Sequence, residues 1–140
     1  ARERLKNIET VIEETVYHRG IKYPQEFATF KNKHIEAMYG GMSVLNLKRK
    51  RNIPEKRALA DFDTELELSA KHFSLAITDH NIKKHDIKGK PKLENEVVKN
   101  SKATRQTLLS RGIKPEELGA EEDLKRIEKR REREDLLIIK

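Results

Sequence analysis

Apolar side chains recur along this chain every three or four residues, in short bursts, and the regular alternation of a half-buried strand is missing. Leu5, Ile8, Ile12 and Thr15/Val16 trace one stripe, which predicts a helix that stops at Gly20. Pro24 suits a first helical position, and Phe27, Phe30/Lys31, His34 and Met38 carry a second helix towards Gly40-Gly41. Ser43 is placed to cap a short third helix through Leu47, and Pro54 opens a further helix or turn. From Asp61 to about Lys84 the periodicity is strongest. Leu66, Ser69, Phe73, Ala76/Ile77 and His80 share a face that is expected to point inward, with Asp63 or Thr64 as the cap. Residues 88–92, KGKPK, read as an exposed loop. A fifth helix from about Leu93 to Arg111 puts Val97, Ser101, Thr104 and Leu108 on one side, and Gly112-Ile113 has the pattern of a glycine C-cap. Pro115 begins a brief turn. A charged helix follows, with pairs such as Glu121 to Lys125 and Glu122 to Arg126, and it ends in the apolar run Leu136-Leu137-Ile138-Ile139.

Composition narrows this to an all-α domain of five to seven helices: Gly and Pro are sparse, and of the 140 residues 35% are hydrophobic and 39% charged. So charged a chain buries a thin core, which leads us to expect a homodimer that covers the remaining apolar surface, with the C-terminal helix as a swapped or docking element. We divide the chain into a helical core at 1–115 and the charged C-terminal helix at 116–140. With no cysteine there is neither a disulfide framework nor thiolate chemistry. No apolar run approaches the roughly 20 residues of a membrane helix, so a soluble, cytoplasmic protein is expected, without membrane association.

The formal charge of +7 is uneven. Residues 48–57 hold six cations against Glu55, residues 80–104 hold seven lysines against three acids, and residues 116–140 are net acidic. The basic run Lys48, Arg49, Lys50, Arg51, Lys56 and Arg57 therefore stands out as a surface for phosphates or for an acidic protein, although a solvated helix face accounts for it equally well. Nothing in the pattern reads base sequence. Phe27, Phe30 and Phe73 fall on expected core faces, which argues against a stacking platform for single strands; Tyr17, Tyr23 and Tyr39 stay open.

Enzymatic chemistry finds little footing. Among the histidines, His80 and His85 are five apart, whereas ligands on one helical face need three or four, and His72 with His80 lacks an obvious third ligand. No metal or other cofactor is expected. Asp86-Ile87-Lys88 and Asp123-Leu124-Lys125 have the acid, spacer and lysine of a metal-dependent nuclease, but such triplets arise readily at this charge density. No phosphate-binding loop and no nucleophile elbow is present. The chain is expected not to be an enzyme.

Three stretches carry a resemblance: FATFKNKHIEAMYGG at 27–41, ELELSAKHFSLAITDHNIKK at 65–84, and SKATRQTLLSRGIKPEELGAEEDLKRIEK at 101–129. Together they resemble the C-terminal half of the DNA-damage-inducible protein D family, over about residues 15–130. Phe27, Phe30, Tyr39, Gly40, Gly41, Gly112 and Pro115 are its structural signature here, and Arg105, Glu116, Glu117 and Leu118 also match. Family members usually carry an N-terminal domain of the viral Bro type, so this chain reads as the C-terminal domain alone. The resemblance implies a bacterial SOS-response protein that associates with RecA filaments and restrains strand exchange, with no established enzymatic activity. Ahead of Arg105 the NEVVKNSKAT stretch replaces a His and a Val-Gly pair of the family pattern. Arg105 is left either as a structural ion-pair residue or as a partner contact. On this basis Lys48 to Arg51, Lys56 and Arg57 are expected to form one face with Lys88, Lys90 and Lys92 that engages a RecA–DNA filament. A DNA-binding or antirepressor-like regulator, using the same face on single- or double-stranded DNA, is the alternative.

Overall fold

The computed structural model describes residues 2–119 and 131–137. Among them the architecture is all-α: α1 (Arg2–Tyr17), α2 (Pro24–Met38), α3 (Val44–Lys50), α4 (Glu65–Lys84) and α5 (Lys90–Ser110), with short 3-10 turns at Leu59–Phe62 and Pro115–Glu117. Local signals set the helix ends. Ser43 accepts from the amide of Asn46, and Thr64 and Glu67 form a reciprocal capping box at the start of α4. Gly112, at φ +78°, turns the chain so that the Ile113 amide donates to the Leu108 carbonyl. The expected loop at 88–92 is shorter than the composition suggested, because Pro91 fits the first turn of α5, where no amide donor is needed.

The four long helices pack in the cyclic order α1, α4, α5, α2. Side-chain pairs fix the directions. Arg2–Asp61, Thr15–Asp79 and Arg19–Asp86 run α1 parallel to α4. Ser74–Thr104, Thr78–Asn100 and Asn81–Glu96 set α5 antiparallel to α4, while His34–Ser101 and Arg105 on the Met38 carbonyl align α2 with α5. The core has two parts. Leu5, Ile12, Val16, Phe30, Leu75, Ile82, Leu93 and Val97 fill the bundle, and Met38, Tyr39, Leu47, Ile53, Leu59 and Leu108 fill the end closed by α3. No described helix is long and apolar enough to cross a membrane.

α4 overturns its expected orientation. Glu67, Leu68, Lys71, Ser74, Leu75, Thr78 and Ile82 face inward, while Leu66 and Phe73 stand 41% and 60% exposed. The reason lies in the partners. Polar groups at 67, 71, 74 and 78 find hydrogen bonds inside the bundle, so their burial is compensated and the opposite, more apolar stripe is left outside. The pairs Glu121–Lys125 and Glu122–Arg126, and Ile138-Ile139 of the terminal run, lie outside the described residues; 131–137 is helical, and Leu136 and Leu137 are exposed.

Candidate functional site

The basic run sits at the end of the bundle formed by α3, and its six cations divide into two groups. α3 is short, and its C-terminal residue Arg51 turns inward under Tyr39. There Arg51 Nη1 donates to Asp63 Oδ1 at 3.1 Å and Nη2 to Glu67 Oε2 at 2.6 Å. Lys71 Nζ donates to Asp63 Oδ2 at 2.5 Å, and the Tyr39 hydroxyl donates to Glu67. Both cations also lie over the Tyr39 ring, at 5.5 and 4.9 Å from its centroid. Two cations thus face two carboxylates in a cluster that no solvent reaches: Arg51 is 4% exposed, Asp63 3%, Glu67 1% and Lys71 1%. Arg51 therefore does not belong to an outward-facing basic surface, and that expectation is corrected. Its charge is held inside by carboxylates, because an isolated guanidinium in the core would be prohibitively costly.

Electrostatics within the cluster follow from burial and pairing. Burial pushes the Glu67 carboxyl upward, but Arg51 and the hydrogen bonds from Tyr39 and Arg51 outweigh it and hold the group below its usual value. Asp63 is raised by burial, with Glu67 adding to the rise and Lys71 opposing it. Burial and the two carboxylates raise the Tyr39 phenol. Every member is thus locked in its ordinary charge state with a partner, which makes the cluster a clamp joining α2, α3 and α4.

Lys50 and Arg105 also serve the fold. Arg105 grips Glu116 through two hydrogen bonds, at 2.6 and 3.1 Å, and donates to the Met38 carbonyl, while Lys50 Nζ donates to the Glu116 carbonyl at 2.8 Å. Gly119 lies against Arg51, so close that a Cβ there would stand 2.1 Å from Nε. Three of the expected contact cations therefore converge on residues 116–119. Gly40, at φ +66°, is needed for the same reason: a Cβ would meet Arg105 Nη2 at 2.8 Å. Phe30 and Tyr39 are buried, Phe27 stacks on Phe30 at 6.2 Å, and Pro115 is buried, so most of the aromatic and proline signature is core. Gly41 takes up a positive φ of +94° beyond the end of α2.

What remains outward is smaller. Arg49 and Lys56 are exposed; Arg57 is exposed over the Phe62 ring, and half-buried Lys48 donates to the Glu55 carbonyl. Lys88, Lys90 and Lys92 lie where α4 ends and α5 begins, at the other end of the bundle, and Lys88 and Lys90 have acidic neighbours in Asp86 and Glu94. Twenty residues of α4 separate the two basic segments, roughly 30 Å of helix. The expected single face is therefore two separate basic ends. No group of three His, Asp or Glu side chains is placed to hold a metal among the described residues.

Sequence reasoning missed the clamp, although one signal for it was present: Asp63, Glu67 and Lys71 at four-residue spacing, continued by Ser74 and Thr78, form a polar line along one side of α4.

No curated protein and no solved structure matches the chain. A family model described as the DinD C-terminal domain matches residues 1–127, and it takes in both the Tyr39–Gly41 turn and the Arg105–Glu116 latch. The chain belongs to the DinD C-terminal domain family.

Proposed function

We propose that this domain is a non-catalytic modulator in the DNA-damage (SOS) response that binds RecA nucleoprotein filaments and restrains strand exchange. Family membership supports the reading, and the observation that carries it is the exposed segment at 49–57, where Arg49, Lys56 and Arg57 stand at the surface with Glu55 as the acid among them. Arg51, Lys50 and Arg105 hold the scaffold behind that segment and are not counted as contacts. Each phosphate or carboxylate met by an exposed cation releases counterions, so binding weakens with salt.

The test is the anisotropy of a labelled single-stranded oligonucleotide, bare and RecA-coated, titrated with the domain at two salt concentrations. Binding confined to the coated strand, weakened and made less salt-dependent in Arg49→Glu/Lys56→Glu, is the expected result. Equal, salt-sensitive binding to bare strand would replace the proposal with a direct DNA-binding regulator. Unchanged affinity of the doubly reversed variant would remove the 49–57 segment from the interface.

A further inference from the structure

The seam between α1 and α2 is the loosest side of the bundle and deepens into a cavity of about 320 Å³. Leu5 and Ile12 of α1, Phe30 of α2, Leu75 of α4 and Leu59 from the 3-10 turn line it, so its wall is mainly apolar. His34 of α2 is the polar exception deep in that wall. Its imidazole is 5% exposed, its Nδ1 lies 2.7 Å from Ser101 Oγ on α5, and its Nε2 has no hydrogen-bond partner among the described residues. The two ring nitrogens diverge, so the bond to Ser101 turns Nε2 away from α5, on the side where the ring lines the cavity. A buried polar atom without a partner is destabilising, and native folds rarely retain one without a reason.

We propose that this cavity is a binding site for a small, mainly apolar molecule with one hydroxyl group, its body against Leu5, Ile12, Phe30 and Leu75 and its hydroxyl on His34 Nε2. Chemistry selects the class. Whichever way Ser101 fixes the tautomer, Nε2 is either a donor or an acceptor, and a hydroxyl can meet both. Burial, with Lys71 and Lys31 adding to it, lowers the His34 pKa to about 3, so the ring is neutral and offers an anion no counter-charge. Lys71 is already engaged by Asp63, and at the rim Glu9 is shared between Lys31, at 2.8 Å, and Arg2, at 3.6 Å. The volume lies at the lower end of the roughly 300–1,000 Å³ typical of small-molecule sites.

The experiment titrates the full chain, labelled with nitrogen-15, with 4-ethylphenol and with ethylbenzene, which differ by the hydroxyl. The expected result is saturable binding of both, about two- to tenfold tighter for the phenol, as one neutral hydrogen bond predicts, with a shift of the His34 ring nitrogens for the phenol alone. Ala60→Leu, at the half-buried rim, is expected to weaken both probes, and Leu75→Trp, which fills the cavity from the opposite wall, to abolish binding. Absence of saturable binding, equal affinities with an unmoved His34 signal, or undiminished binding in both folded variants would each overturn the proposal; the first is also the result for a cavity whose imidazole is served by a buried water.

Discussion

Replacing Arg51 by Met removes the guanidinium and keeps an unbranched apolar side chain in its space, leaving Glu67 and Asp63 in the core with Lys71 as their remaining cation. Removing one partner of a buried ion pair typically costs about 3–5 kcal/mol, because the other charge stays desolvated. Against a typical total stability of about 5–15 kcal/mol that is a large fraction, and it corresponds to a fall in Tm of roughly 10 °C or more. Urea unfolding followed by far-ultraviolet circular dichroism, at pH 7 and at steps towards pH 4, supplies two readouts. In the wild type, Glu67 has a folded pKa below its model value of 4.5, so its stabilising contribution is present above 4.5 and is lost as pH falls through the lowered value. In Arg51→Met, burial is no longer opposed by Arg51, so the folded pKa rises above 4.5. The ionised carboxylate then destabilises the fold at neutral pH, and part of the loss is recovered as pH falls through the raised value. The difference between variant and wild type must therefore shrink with acid. Adding Glu67→Gln to Arg51→Met removes the stranded charge and is expected to restore part of the stability. A loss below about 1 kcal/mol at pH 7, or a difference that grows with acid, would refute the clamp.

Gly40→Ala is expected to destabilise by about 1–3 kcal/mol through its positive φ and its clash with Arg105, and by less when combined with Arg105→Ala, a non-additivity that a double-mutant cycle in urea would measure. Phe73→Ser should stay within about 0.5 kcal/mol of wild type while Phe30→Ala loses about 3–5 kcal/mol; comparable losses would put α4 back in its other orientation. His34 should remain neutral down to about pH 4 in an NMR titration. Because its folded pKa of about 3 lies below the model value of 6.5, the stability tied to it is complete above 6.5 and declines by about 1.4 kcal/mol per pH unit as pH falls towards 3; a midpoint near 6.5 would contradict the buried ring.

The sequence by itself determined the helices and their ends. Ser43, Thr64, Pro24 and Gly112 act within one or two turns of chain, so the caps they make are written locally, and the stripes of α1, α2 and α5 were legible because their inward residues are the apolar ones or small polar ones in register with them. The orientation of α4 was not legible. A helix with apolar residues on one side and charged residues on the other normally buries the first, and here only the arrival of Arg51, Tyr39, Asn100 and Thr104 from distant positions compensates the second. The same applies to the basic run. Composition made six adjacent cations look alike, and tertiary structure sent Arg51 to the core and Lys50 to Glu116 while leaving Arg49 and Lys56 in water. Chain direction placed Lys88 to Lys92 at the far end of the bundle, since a helix of twenty residues carries its two ends apart whatever charges they bear. Periodicity along one chain reports that a face exists; which partners meet that face is a property of helices separated by tens of residues, and that decided where each charge of this domain resides.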